Sequence, residues 1–184
     1  MKVLLTSAGL ETENIKNKFL ELLPKNPQEI KALFIPTAAV SADAISVLPK
    51  CMNDLLKCDI RKENITVYDL HQIMSVDEFK RFDVIYICGG DTEYLLKRVN
   101  EDGFDKSLVE HVKNNGVFVG VSAGSIIATQ NLRDNLGLIN CHLSVHCAKG
   151  DTAGPLNLSN CPNIRLTNNQ TIHITDVDCA LIIE

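Results

Sequence analysis

Val117-Phe118-Val119-Gly120-Val121-Ser122-Ala123-Gly124-Ser125 is the stretch on which the fold turns. Its first five residues are apolar with no polar alternation, the pattern of a strand buried on both faces. The run then breaks into small residues, and 122–129 reads as the start of a helix. A buried strand that passes straight into a helix is the unit of a parallel sheet covered by helices.

The same unit recurs on the N-terminal side. Residues 84–88 form an apolar run that ends in Gly89-Gly90, and Asp91 is placed to cap a helix reaching about residue 98. Residues 3–6 run into Ser7-Ala8-Gly9, a turn signal, and 13–23 follow with Ile15, Phe19, Leu22 and Leu23 at helical spacing. Residues 32–35 and 65–68 are further strands. Residues 42–56 read as helix, with Pro49 expected to kink or divide it. Ser75 and Glu78 have capping-box spacing, and 104–113 is a helix closed by Asn114-Asn115-Gly116. The strand–helix alternation implies an α/β three-layer sandwich with a mainly parallel central sheet, formed by one domain over residues 1–184.

Beyond residue 129 the pattern weakens to short strand candidates at 136–139, 143–145, 164–166, 171–174 and 180–183. Asn168-Asn169-Gln170 and Asp176-Val177-Asp178 are hairpin-turn candidates.

Composition narrows the function classes. Hydrophobic residues make up 45% of the 184, and the formal net charge is −5 with no basic block. That balance argues against a phosphate-backbone partner. Seven cysteines with no C-x-x-C pair suit reduced thiols in a reducing compartment. No run approaches the apolar length of a membrane span, and the first residues are too briefly apolar for a signal peptide. The expectation is a cytoplasmic protein acting on a small molecule or peptide, without nucleic acid or membrane, with a homodimer as the assembly considered.

Gly120-Val121-Ser122-Ala123-Gly124 matches G-x-S-x-G between a strand and a helix start. A serine at such a bend is lifted clear of the sheet, and the helix aims free N–H groups at charge developing beside it. Ser122 is therefore the candidate nucleophile. Gly89 and Gly90 end the strand next to it, where open parallel sheets form their sites. The Gly90 and Ala123 N–H groups are the natural oxyanion donors. Gly89 and Asp91 share the loop expected to face substrate.

With these residues assembled, the chain resembles peptidase family S51, that of dipeptidase E and cyanophycinase. The resemblance rests on Leu4-Leu5-Thr6-Ser7, on residues 32–38 and 87–96, and on Gly120-Val121-Ser122-Ala123-Gly124-Ser125. It implies a fold like that of class I glutamine amidotransferases, and a serine peptidase with a Ser–His pair, an acidic third member and no metal or organic cofactor. By the family's spacing the base falls on His146, with His142 an open alternative four residues earlier. The third member falls on Asp134, just beyond the elbow helix; the family's other position, in the late hairpin, is occupied by Asn168, which carries no charge. Aspartyl dipeptidases have a longer, basic segment after the histidine, whereas Lys149 is the only base between His146 and Arg165. Specificity for N-terminal aspartate does not follow. The competing reading is a catalytically silent binding module on the same scaffold.

An α/β-hydrolase esterase is disfavoured because no His-Gly-Gly stretch occurs. A glutamine amidotransferase is disfavoured because the elbow carries serine in place of cysteine. A zinc site at Cys141-His142 and His146-Cys147 is disfavoured, since strand neighbours point to opposite faces and all four could not meet one ion.

Overall fold

The computed structural model describes residues 1–176 and 179–184. The apolar runs become strands β1 (Lys2–Thr6), β2 (Ala32–Ile35), β3 (Ile65–Val67), β4 (Val84–Ile87) and β5 (Val117–Val121). Three short strands follow, β6 (His142–Ser144), β7 (Gly154–Pro155) and β8 (Asn163–Arg165), and then β9 (Thr171–Asp176) and β10 (Cys179–Ile183). Among the described residues, eight strands form one sheet in the order β3-β2-β4-β5-β1-β9-β10-β7. The β3-to-β1 half is parallel; β9, β10 and β7 extend it in antiparallel fashion.

Both faces of β2, β4, β5 and β1 are buried, and alternate residues serve opposite layers. Val3, Leu5, Leu33, Ile35, Ile85, Ile87 and Phe118 join one apolar cluster, with Leu95, Val99 and Leu108 from helices α5 (Thr92–Asn100) and α6 (Phe104–Lys113). Leu4, Phe34, Val84, Tyr86, Val117 and Val119 join the other, with Ile15 and Phe19 of α1 (Glu13–Leu22) and Leu55 of α3 (Leu48–Leu56). The result is the expected helix–sheet–helix sandwich. The residues that build it explain the near-absence of polar positions in these strands.

Local chemistry sets the helix ends. Thr12, Ser41 and Asp91 accept from the N–H groups of Ile15, Ala44 and Tyr94. Ser75 and Glu78 form a reciprocal capping box on α4 (Val76–Phe79). The expected helix at 42–56 is divided at Val47, into α2 (Ala42–Ser46) and α3. Pro49 lies in the first turn of α3, where its missing N–H leaves no bond unmade.

Two expectations in the C-terminal third are corrected. Residues 136–139 form no strand: Leu136 and Ile139 are buried and their N–H groups donate to Ile127 and Ala128, so the segment packs irregularly on the elbow helix. Asn168-Asn169-Gln170 turns the chain but joins no hairpin, because β8 pairs in parallel with β6 while β9 joins β1. β9 and β10 do pair antiparallel; Val177 and Asp178 of the proposed turn lie outside the described residues. Among the described residues no helix is long and apolar enough to cross a membrane.

Candidate active site

The β5 strand ends at Val121, and α7 (Ala123–Ile126) starts one residue later. Ser122 bridges them at φ +49°, ψ −107°, outside strand and helix geometry. Strain of this kind persists only where surroundings over-determine it. Here the Ser122 N–H donates to Thr6 O at 3.0 Å, and Ser125 Oγ donates to Thr6 O and Gly120 O at 2.8 and 2.7 Å. Gly124 lets the helix start press on β4: a Cβ there would lie 2.4 Å from Ile87 O. The bend is thus clamped from both neighbouring strands, and Ser122 stays half-buried at the strand ends.

His146 Nε2 lies 2.9 Å from Ser122 Oγ. The strand carrying His142 ends at Ser144, and His146 lies beyond it with φ +56°. The two imidazoles therefore do not share a strand face, and it is His146 that reaches the serine. β6 is fixed near the elbow by Asn131, whose amide bonds both the Leu143 N–H and C=O, at 2.7 and 2.9 Å.

The other imidazole nitrogen, Nδ1, lies 2.7 Å from Asn168 Oδ1. Asp134 is elsewhere. It is an exposed turn residue at φ +61° whose carbonyl accepts from Asn100, and among the described residues nothing links its carboxylate to His146. It adjoins Lys97 and Arg133 on a separate surface hollow. The expectation of Asp134 as third member is corrected: an uncharged amide fills that position, brought from the turn before β9.

Gly89 sits beside Ser122, continuing the register that sets Ile87 against Gly120. A Cβ on Gly89 would lie 3.0 Å from Ser122 Cβ. Among the described residues no acceptor takes the N–H of Gly90 or Ala123. Asp91 is occupied otherwise: its Oδ1 accepts from Tyr94 N at 2.8 Å as the α5 cap, and it is not among the residues lining the cavity.

Ser122, His146, Asn168, Gly89 and Gly90 line one pocket of about 400 Å³. Its far wall is Ala44, Val47 and Cys51, with Glu11, Asp43 and Lys50 supplying charge. Lys50 is ion-paired with Glu11; no ion pair engages Asp43 among the described residues. Cys88 lies fully buried below, and burial raises its thiol pKa, so it is a poor nucleophile. A hydrogen bond from Cys88 lowers that of Cys51. Among the described residues no three His, Cys, Asp or Glu side chains gather as a metal site. Ser7 and the Glu11–Lys50 pair went unassigned in the sequence, and Asn168 was passed over there because it carries no charge. The available signal for Ser7 was a hydroxyl directly after a buried strand.

The family model of peptidase family S51 matches residues 3–139. The chain belongs to peptidase family S51. This S51 member is 28% identical over 109 residues to the uncharacterized peptidase Lmo0363 of Listeria monocytogenes, covering 58% of this chain and 52% of that protein. It is 29% identical over 103 residues to peptidase E of Salmonella arizonae, covering 55% of this chain and 43% of that one. The chain thus spans about half the length of these curated relatives. A Listeria monocytogenes EGD-e protein provisionally named peptidase E, solved by crystallography, shares the fold with a TM-score of 0.74. That match has 18% identity, over 100% of this chain and 98% of that one. The family match contains Ser122 and the glycine pair and ends before His146 and Asn168.

Proposed function

We propose that this chain is a serine-type peptidase that cleaves an amide bond in a small peptide. The observation that carries the reading is the 2.9 Å approach of His146 Nε2 to Ser122 Oγ at the mouth of a pocket. Asn168 Oδ1 has no proton to give, so its 2.7 Å partner Nδ1 carries the hydrogen. Nε2 then presents a lone pair to the serine hydroxyl, as a general base requires.

In this mechanism Ser122 attacks the carbonyl carbon as His146 takes its proton. The carbonyl oxygen, now negative, is received by the N–H groups of Gly90 and Ala123. His146 returns the proton to the leaving amine, and water then releases the acyl group from Ser122 by the same steps in reverse. Asn168 stabilises the imidazolium less than a carboxylate would, yet it holds the ring and its tautomer. A volume of about 400 Å³ suits a short peptide. Asp43 is the carboxylate available to an N-terminal ammonium, because Glu11 is already paired.

The test is a fluorophosphonate probe with a panel of free and N-acetylated dipeptides. Labelling is expected to map to Ser122, and Ser122→Ala is expected to lower kcat/KM by ~10⁴-fold or more. Equal turnover by both proteins overturns the reading. The uncharged third position favours the second reading, a silent binding module, which predicts no labelling and no turnover in the wild-type chain.

A further inference from the structure

Thr6, the last residue of β1, and Ser7 after it touch both halves of the site. The carbonyl of Thr6 holds the elbow through Ser122 N and Ser125 Oγ. The hydroxyl of Ser7, fully buried, reaches the other half. Ser7 Oγ accepts the backbone N–H of His146 at 2.7 Å, and it donates to Asn168 Oδ1 at 3.3 Å. His146 Nδ1 lies 3.5 Å from the same hydroxyl, at the outer limit of a hydrogen bond.

We propose that Ser7 is a positioning residue that selects which end of the Asn168 amide meets His146, and so which imidazole nitrogen carries the proton. This rests on the serine-peptidase reading for its consequence in turnover, though not for its spectroscopic test. A carboxylate at residue 168 would present oxygen in either orientation. An amide presents oxygen in one and NH₂ in the other. With NH₂ toward the ring, Nδ1 becomes an acceptor and the proton moves to Nε2, where it faces Ser122 and cannot act as base.

The Ser7 hydroxyl breaks that symmetry. Its proton needs an acceptor, because a buried hydroxyl without one is costly. With Oδ1 turned inward it has one at 3.3 Å, and Oδ1 takes two donors, Ser7 O–H and His146 Nδ1–H. With the amide reversed, Ser7 Oγ receives a second donor and its own proton is left with Nδ1, at 3.5 Å. The bond from His146 N also fixes the φ +56° backbone that aims the ring at Ser122. The same hydroxyl therefore sets ring position and ring tautomer.

The experiment is ¹⁵N-histidine NMR of the full chain, with the His146 ring signals assigned by loss in His146→Gln. The wild-type protein is expected to show Nδ1–H with an unprotonated Nε2. Ser7→Ala is expected to shift His146 toward Nε2–H and to lower kcat/KM by about 10- to 100-fold. Ser7→Thr keeps the hydroxyl and is expected to restore both. In an Asn168→Asp background, Ser7→Ala is expected to cost less than about 3-fold, since the carboxylate has no wrong end. A wild-type Nε2–H tautomer overturns the proposal without any variant having to fold. So does an Nδ1–H signal unchanged in folded Ser7→Ala, or an equal loss in both backgrounds. Should the chain prove inactive toward every peptide and probe, the serine-peptidase reading fails while the tautomer result still decides the role of Ser7.

Discussion

At the residue scale, the candidate site depends on atoms that are missing as much as on those present. Gly90 has φ +143°, and a Cβ there would lie 1.9 Å from Ala38 O. Ala38 also accepts the N–H of Asp91, so the loop cannot retreat without releasing that bond. Gly90→Ala is therefore expected to swing the loop and lower kcat/KM by ~10²–10³-fold, the cost of one oxyanion donor. The check is steady-state kinetics beside a thermal melt. Unchanged kcat/KM would remove Gly90 from the oxyanion site. Ser122 was legible because its constraints are local: small flanking residues and an apolar strand act within a few positions. The partner at His146 Nδ1 was not, because charge was taken as the guide. The position is filled by an amide, and an exposed asparagine is an ordinary turn residue. Asp134 had charge and proximity in sequence, and its turn points elsewhere.

At the element scale, the strands buried on both faces were read at or within a residue of their ends, since nothing polar competes inside them. The C-terminal third was less legible because its pairings are remote. β6 finds β8, and β9 finds β1 across most of the chain, choices that no local pattern encodes. β9 carries the least expected residue of the sheet, His173, which is buried between Leu4 and Leu181. Its Nε2 has no hydrogen-bond partner among the described residues. Burial lowers its pKa, with the Lys18 ammonium adding to the effect and Glu21 and a hydrogen bond to the Lys18 backbone opposing it. A histidine depressed in the fold stabilises the native state above its ordinary pKa, and that stability is lost as pH falls below about 6.5. The wild-type Tm is thus expected to fall between pH 7.5 and pH 5. His173→Leu is expected to fall less over the same interval. Parallel melting curves across that range test it, and equal slopes would clear His173 of the acid sensitivity.

At the scale of the whole molecule, the candidate site is a joint between two bodies of structure with different anchorage. Ser122, Gly89 and Gly90 stand on β4 and β5 in the middle of the eight-stranded sheet. His146 and Asn168 follow β6 and β8, a pair only three residues long. That pair is held to the core by Leu143, Ile164 and Leu166, all almost fully buried. Its strands also bond onward through Leu166 N to Ser144 O and Cys147 N to Leu166 O. A small ladder with few apolar anchors opens before a central sheet does. Leu143→Ala removes one anchor and is expected to cost about 2–5 kcal/mol locally. In urea, fluorophosphonate labelling of Leu143→Ala should then disappear while far-UV circular dichroism is still native, because His146 leaves before the strand carrying Ser122 melts. Wild-type labelling should persist closer to the global transition. Coincident loss of labelling and helicity in the variant would mean that β6 and β8 unfold only with the sheet, and that His146 is anchored as firmly as Ser122.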